Sequence, residues 1–209
     1  RSIKLLGKCY MLLGGISKKQ SDYEIIRQSY EKAAYYAKKI QDSCTLSDCY
    51  GHLVDYYRRE NNYDMVFKYA QKTYNLYMKL GLEDDAYEEL LPMTEVCLQK
   101  KDYAKADFYL KEFERKKYYP AKKSNNLKDG CYGSYYAYKG KYYLALGMVD
   151  SALICYYNEL DFKNEISIPY IYQELANAYS IKNQTDSVNK YLRLYIATHE
   201  KADSLETSN

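Results

Sequence analysis

The 209-residue sequence contains no tryptophan, only 4 phenylalanines, 3 prolines, 9 glycines and 2 histidines, and each shortage removes a class of protein. So few turn-formers leave a sandwich or barrel of many short strands without material for its turns. His52 and His199 alone offer almost nothing for a Ser–His–Asp or Cys–His arrangement. The phosphate-loop pattern G-x-x-x-x-G-K-S/T and the dinucleotide fingerprint are both absent. Lys and Arg number 31 against 28 Asp and Glu, and a net charge of +3 is too small to draw the chain strongly to nucleic acid or an anionic membrane. The longest uncharged apolar stretch, 142–149, falls far short of the ~20 residues of a spanning helix. Six scattered cysteines (Cys9, Cys44, Cys49, Cys97, Cys131, Cys155) form no C-x-x-C pair. They read as small buried hydrophobes and favour a reducing compartment. The chain opens on Arg1 with no visible signal peptide, as a processed or trimmed fragment would.

What is present is a folded, helical composition, 47% hydrophobic and 28% charged, with one outlier: 30 tyrosines. An aromatic body with a polar tip suits positions half in a core and half in water. Internal similarity explains part of this excess. The segments DCYGHLVDYYRRENNYDMVFKYAQKTYNLYMKLG (48–81) and YGSYYAYKGKYYLALGMVDSALICYYNELD (132–161) each hold a helix with a large, a small and an aromatic residue in turn. A short polar turn and a second helix follow. Aligned on the first large residue of that second helix, the units begin at Tyr23, Tyr63, Tyr103, Val149 and Thr185, at intervals of 40, 40, 46 and 36 residues. Three residues on stand Ile26, Val66, Ala106, Ala152 and Val188, and four further Tyr30, Ala70, Leu110, Tyr156 and Leu192. In the preceding helices the lead positions are Tyr10, Tyr50, Leu90, Tyr136 and Tyr172. A small position follows at Gly14, Val54, Thr94, Gly140 and Ala176, then Ser17, Tyr57, Cys97, Tyr143 and Tyr179.

In these positions the chain resembles the tetratricopeptide-repeat (TPR) family, whose unit is a helix pair of about 34 residues. The resemblance implies an all-α fold, a right-handed α-α superhelix of about five helix pairs. The repeats run approximately over 7–42, 47–82, 87–120, 133–164 and 169–199. The third is weakest, with Leu90, Thr94 and Cys97 at its key positions and Pro92 inside its first helix. One helix pair cannot bury its own apolar face, so stacked pairs share a continuous spine. Twelve tyrosines occupy spine positions or their equivalents (Tyr10, Tyr23, Tyr30, Tyr50, Tyr57, Tyr63, Tyr103, Tyr136, Tyr143, Tyr156, Tyr172, Tyr179), leaving 18 of 30 without a spine role. Residues 118–130, with Pro120 and Gly130, read as an extended inter-repeat loop and a candidate hinge. Residues 200–209 read as the start of a C-terminal helix or linker.

The chemistry-bearing constellations are sparse. Cys49 and His52 share a helix face with Cys44 just before them, but no fourth ligand follows at zinc-finger spacing, so core packing is expected there. No cofactor, metal or catalytic residue is expected. In TPR folds the first helix of each pair lines a concave groove that receives peptides. Carried over by position, the groove shows Lys8, Met11, Gly15, Asp48, Gly51, His52, Asp55, Glu88, Leu91, Glu95, Ser134, Tyr138, Lys141, Gln173 and Asn177. From these, Asp48, His52, Asp55, Glu88, Glu95, Ser134, Tyr138, Lys141, Gln173 and Asn177 are the candidate partner-binding residues. The chaperone-tail-binding TPR proteins clamp a terminal carboxylate with Lys, Asn and Arg. The matching positions here are Met11, Gly15, Asp55 and Glu88, so that clamp is absent and an uncharged or partly basic ligand is implied. Residues 132–143 hold six tyrosines, which at helical spacing cannot all point inward and so mark inter-repeat packing or a contact surface. The basic stretch of Arg115, Lys116, Lys117, Lys122, Lys123 and Lys128 reads as a solvated loop face, with an acidic partner as the alternative.

The ending VNKYLRLYIATHEKADSLETSN resembles the end of the TPR segment in a bacterial family with a periplasmic array, a transmembrane helix and a cytoplasmic effector module. That resemblance implies the sensor or scaffold part of a larger bacterial regulator, periplasmic (alternatively cytoplasmic), meeting the membrane only through a segment outside this chain and not touching nucleic acid directly. A constitutive scaffold without a signalling role is the competing expectation. Partner binding to protein or peptide is common to both.

Overall fold

The computed structural model describes Tyr10 and residues 23–124, 130–162 and 167–208. Among these residues every regular element is helical. The chain forms two compact units, Arg1–Asp102 and Tyr103–Asn209.

The first unit holds α1 (Tyr23–Lys39), α2 (Ser43–Arg59), α3 (Tyr63–Leu80), α4 (Glu83–Glu88) and α5 (Leu90–Gln99). The second holds α6 (Tyr103–Phe113), a π-helical turn (Glu114–Tyr118), α7 (Tyr119–Ser124), α8 (Gly130–Ala145) and α9 (Val149–Glu159). It continues with a 3₁₀ turn (Leu160–Phe162), α10 (Ile168–Ile181) and α11 (Thr185–Ser208). The five residues that begin second helices in the repeat alignment are all the first residues of helices: Tyr23, Tyr63, Tyr103, Val149 and Thr185. Tyr10, the first lead position, is helical, whereas Lys8, Met11, Gly14, Gly15 and Ser17 lie outside the described residues.

One turn geometry recurs between successive helices. Gln41, Asn61, Gly81, Lys101, Gly147 and Asn183 all have φ between 53° and 75°. At each, the residue's own N–H reaches three residues back and the next N–H five back, as in Gly81 N–H to the Met78 carbonyl at 3.3 Å and Leu82 N–H to Tyr77 at 3.0 Å. This left-handed cap satisfies carbonyls that the helix end would otherwise orphan. Where side-chain caps open the next helix, Asp42 accepts from Thr45 N–H and Asn62 from Met65 N–H, each at 3.2 Å.

Burial follows the repeat register. The small positions Val54, Thr94, Gly140 and Ala176 are all buried, as are Val66, Ala106 and Ala152 on the facing helices. Thr94 is tolerated in the core because its hydroxyl donates to the Leu90 carbonyl at 2.7 Å. A Cβ added at Gly140 would stand 2.4 Å from the Tyr156 ring, so glycine there is a requirement of close approach. Around that contact Ala152, Leu153, Tyr156, Ile171, Leu175, Ala176, Ala178 and Tyr191 form the core of the second unit.

The structure corrects several expectations. Of the loop read over 118–130, residues 118–124 are helical, since α6 continues through the π turn and α7 to Ser124, and 125–129 lie outside the described residues. Tyr119 N–H bonds the Glu114 carbonyl in the wider π register immediately before Pro120, which has no N–H to contribute. The units divide at Asp102/Tyr103, inside the repeat read over 87–120, and not at a hinge over 118–130. The first helix of that repeat is split around Glu89, with Pro92 in the opening turn of α5. Residues 200–208 continue α11 as helix, one of the two alternatives read there. Leu192, expected in the spine, is 42% exposed, and its neighbour Tyr191 turns into the core at 6%. Of the cysteines, Cys49, Cys97 and Cys155 are buried, but Cys44 is exposed and Cys131 half-buried.

Among the described residues, eight of the twelve spine tyrosines (Tyr10, Tyr50, Tyr63, Tyr103, Tyr136, Tyr143, Tyr172, Tyr179) are half-buried. Six of the nine buried tyrosines lie off the spine: Tyr69, Tyr87, Tyr118, Tyr132, Tyr135 and Tyr191.

Candidate binding grooves

In the first unit, α2 carries Asp48, His52 and Asp55 at i, i+4 and i+7, a spacing that places them along one helix face. All three line a cavity of about 440 Å³ whose far wall is Tyr77 of α3 with Glu89 and Pro92 at the α4–α5 break. His52 lies flat on the Tyr30 ring, centroids 4.4 Å apart and planes 18° apart. Arg58, the cavity's one arginine, is held by Asp55 at 2.8 Å and Glu95 at 2.7 Å. Its charge is thereby spent within the protein, and Asp48 and Glu89 give the remaining lining an acidic character. Burial, reinforced by the neighbouring Glu88 and Asp55 carboxylates and opposed by Arg58, pushes Glu89 up to about 7.

Four of the five first-unit candidates therefore converge: Asp48, His52 and Asp55 line the cavity and Glu95 holds its arginine. Glu88 does not line it; its neighbour Glu89 does. The break before Pro92 shifts the phase of the helix, a displacement that a continuous-helix reading of repeat three misses. Leu91, also carried over as a groove residue, is buried. Cys49 is buried while Cys44 and His52 are exposed, and among the described residues no three His, Cys, Asp or Glu side chains are grouped as metal ligands.

In the second unit the candidates are not gathered into a pocket. Ser134, Gln173 and Asn177 are exposed, Tyr138 is half-buried, and Lys141 pairs with Glu174 at 3.3 Å. A cavity of about 330 Å³ in that unit lies elsewhere, between the α6–α7 segment, α8 and α9. It is walled by Tyr118, Tyr119, Tyr135, Tyr136 and Tyr143. Tyr135 stacks on Phe113 at 5.1 Å and on Tyr118 at 5.3 Å. The Tyr118 and Tyr136 hydroxyls share a hydrogen bond of 2.6 Å, and Lys139 donates to Tyr135 at 2.7 Å and to Glu114 at 3.2 Å. Tyr132 and Tyr135, neither on the spine, are 2% and 1% exposed, so much of the tyrosine run at 132–143 is packing within the unit. Sequence reasoning missed this site because the helical extension to Ser124 that covers the aromatics reads locally as a loop.

The sequence matches no protein-family model and no curated protein. Solved structures are nevertheless similar in fold. BtubC (BKLC) from P. vanneervenii superposes with a TM-score of 0.71 at 15% identity, over 96% of this chain and 82% of that one. MamA protein superposes with a TM-score of 0.56 at 16% identity, over 95% of this chain and 94% of that one. At such identities the likeness speaks to fold alone, and the fold is an all-α, TPR-like helical-repeat solenoid.

Proposed function

We propose that the chain is a non-catalytic protein- or peptide-binding module whose groove in the first unit receives a segment bearing a basic side chain. The observation that carries this reading is the 440 Å³ cavity in which Asp48, Asp55 and Glu89 face one arginine already held by Asp55 and Glu95. Carboxylates converging on a partly enclosed space favour an ammonium or guanidinium group, through charge-assisted hydrogen bonds stronger than neutral ones. Tyr77 and the exposed His52 add contact area at little entropic cost.

The test is calorimetric titration of the chain with a short Lys- and Arg-bearing peptide. Asp48→Asn combined with Asp55→Asn should weaken binding at least about tenfold, roughly 1.4 kcal/mol. Helicity should be unchanged, because both positions are exposed. Equal affinity of the double variant would remove the groove from consideration.

The ending VNKYLRLYIATHEKADSLETSN supports the further reading that this module is the sensor or scaffold part of a larger bacterial regulator, placed in the periplasm. Sequencing the gene beyond Asn209 decides between sensor and constitutive scaffold. An apolar span followed by an effector domain agrees with the sensor, and its absence with the scaffold.

A further inference from the structure

The tyrosine-walled cavity of the second unit has no part in the groove reading, and its chemistry is different. Its floor is neutral: Glu114 is matched by Lys139 at 3.2 Å, and Lys139 spends a further donor on the Tyr135 hydroxyl. Two hydroxyls joined by one hydrogen bond, those of Tyr118 and Tyr136, leave the accepting oxygen's own proton available to a ligand. The rim is apolar and open, with Tyr119 57% and Ile154 62% exposed. Beside them Lys122 stands over the Tyr118 ring, 5.7 Å from its centroid. The helical extension over 114–124 carries five basic residues against one acidic; Arg115 is paired with Glu112 and Lys117 is buried, and Lys122 is the exposed lysine that lines the cavity.

Aromatic walls, exposed apolar lips and a few polar groups are the composition of a ligand site, and 330 Å³ falls at the small end of such sites. Ring faces stack best on another ring, and a basic rim attracts an acidic chain. We infer that this cavity receives an aromatic side chain presented on an acidic segment of a partner protein. The ring enters between Tyr118, Tyr119 and Tyr136, and a carboxylate beside it meets Lys122.

Since the chain has no tryptophan, a peptide tryptophan reports on the site without background. The probe is Asp-Glu-Trp-Glu-Asp, followed by the blue shift of its fluorescence as the intact chain is added. Binding should weaken as salt is raised. It should fall at least about tenfold in Tyr119→Ala and in Lys122→Glu, with thermal unfolding unchanged in both because each side chain is exposed. Asp-Glu-Ala-Glu-Asp should fail to displace the probe, and Lys-Arg-Trp-Arg-Lys should bind more weakly. A missing blue shift at millimolar chain overturns the proposal. So does equal binding by the basic peptide, displacement by the alanine peptide, tighter binding by a proline-rich peptide, or indifference to both substitutions.

Discussion

Gly140 and Tyr156, on the two helices of one repeat, form one structural unit. The ring fills the space a side chain on Gly140 would need. Gly140→Ala gains about 1 kcal/mol of helix propensity, but it forces a Cβ 2.4 Å from a fully buried ring. Overpacking of that kind costs about 1–3 kcal/mol, and the steepness of this clash favours a net loss of about 2 kcal/mol in chemical denaturation. Tyr156→Leu should recover most of the loss in the double variant, the signature of direct coupling. Burial and the nearby Glu174 and Glu159 carboxylates hold the Tyr156 hydroxyl protonated. Glu89 responds to pH. Its folded value, near 7, is raised above 4.5, so its contribution to stability is fully present below 4.5 and is lost as pH rises through 7. Glu89→Gln should thus raise stability by about 2 kcal/mol at pH 8 and leave it nearly unchanged at pH 4.5; unfolding curves at the two pH values check this.

Elements are delimited here by a turn that demands a left-handed residue, and the chain meets that demand unevenly. Gly81 and Gly147 adopt it freely, Asn61 and Asn183 at small cost, and Gln41 and Lys101 only against the clash of a Cβ with the next carbonyl. Gly81→Ala should destabilise by about 1–2 kcal/mol. Lys101→Gly should stabilise by about 0.5 kcal/mol, the relief of strain being offset in part by the greater freedom of glycine in the unfolded chain. Denaturant midpoints on the two variants, shifting in opposite directions, are the expected result. The same scale explains why 118–124 reads as loop and folds as helix. Pro120, adjacent asparagines and Gly130 are strong loop signals, yet one π turn before Pro120 lets the helix continue to Ser124. That continuation places Tyr118 against Tyr132, Tyr135 and Tyr136.

Taken as a whole, the molecule presents two compact units whose cavities differ in chemistry, carboxylates in the first and tyrosines with a basic rim in the second. The first is expected to respond to pH: as Glu89 loses its proton through about 7, a basic peptide should bind more tightly at pH 8 than at pH 6. Glu89→Gln should flatten that dependence in calorimetric titrations. The sequence by itself determined the helix pairs, because capping, turns and small-residue spacing are local, and the chain starts all five second helices at the residues its repeat marks. It also placed Asp48, His52 and Asp55 on one face, since a shared face needs only the helical period. Glu89 in place of Glu88, the burial of Tyr132 and Tyr135, the exchange of Leu192 for Tyr191 and the second cavity were decided by tertiary structure alone. Each depends on which distant helix covers a side chain, and that is a property of packing between segments that no local pattern encodes.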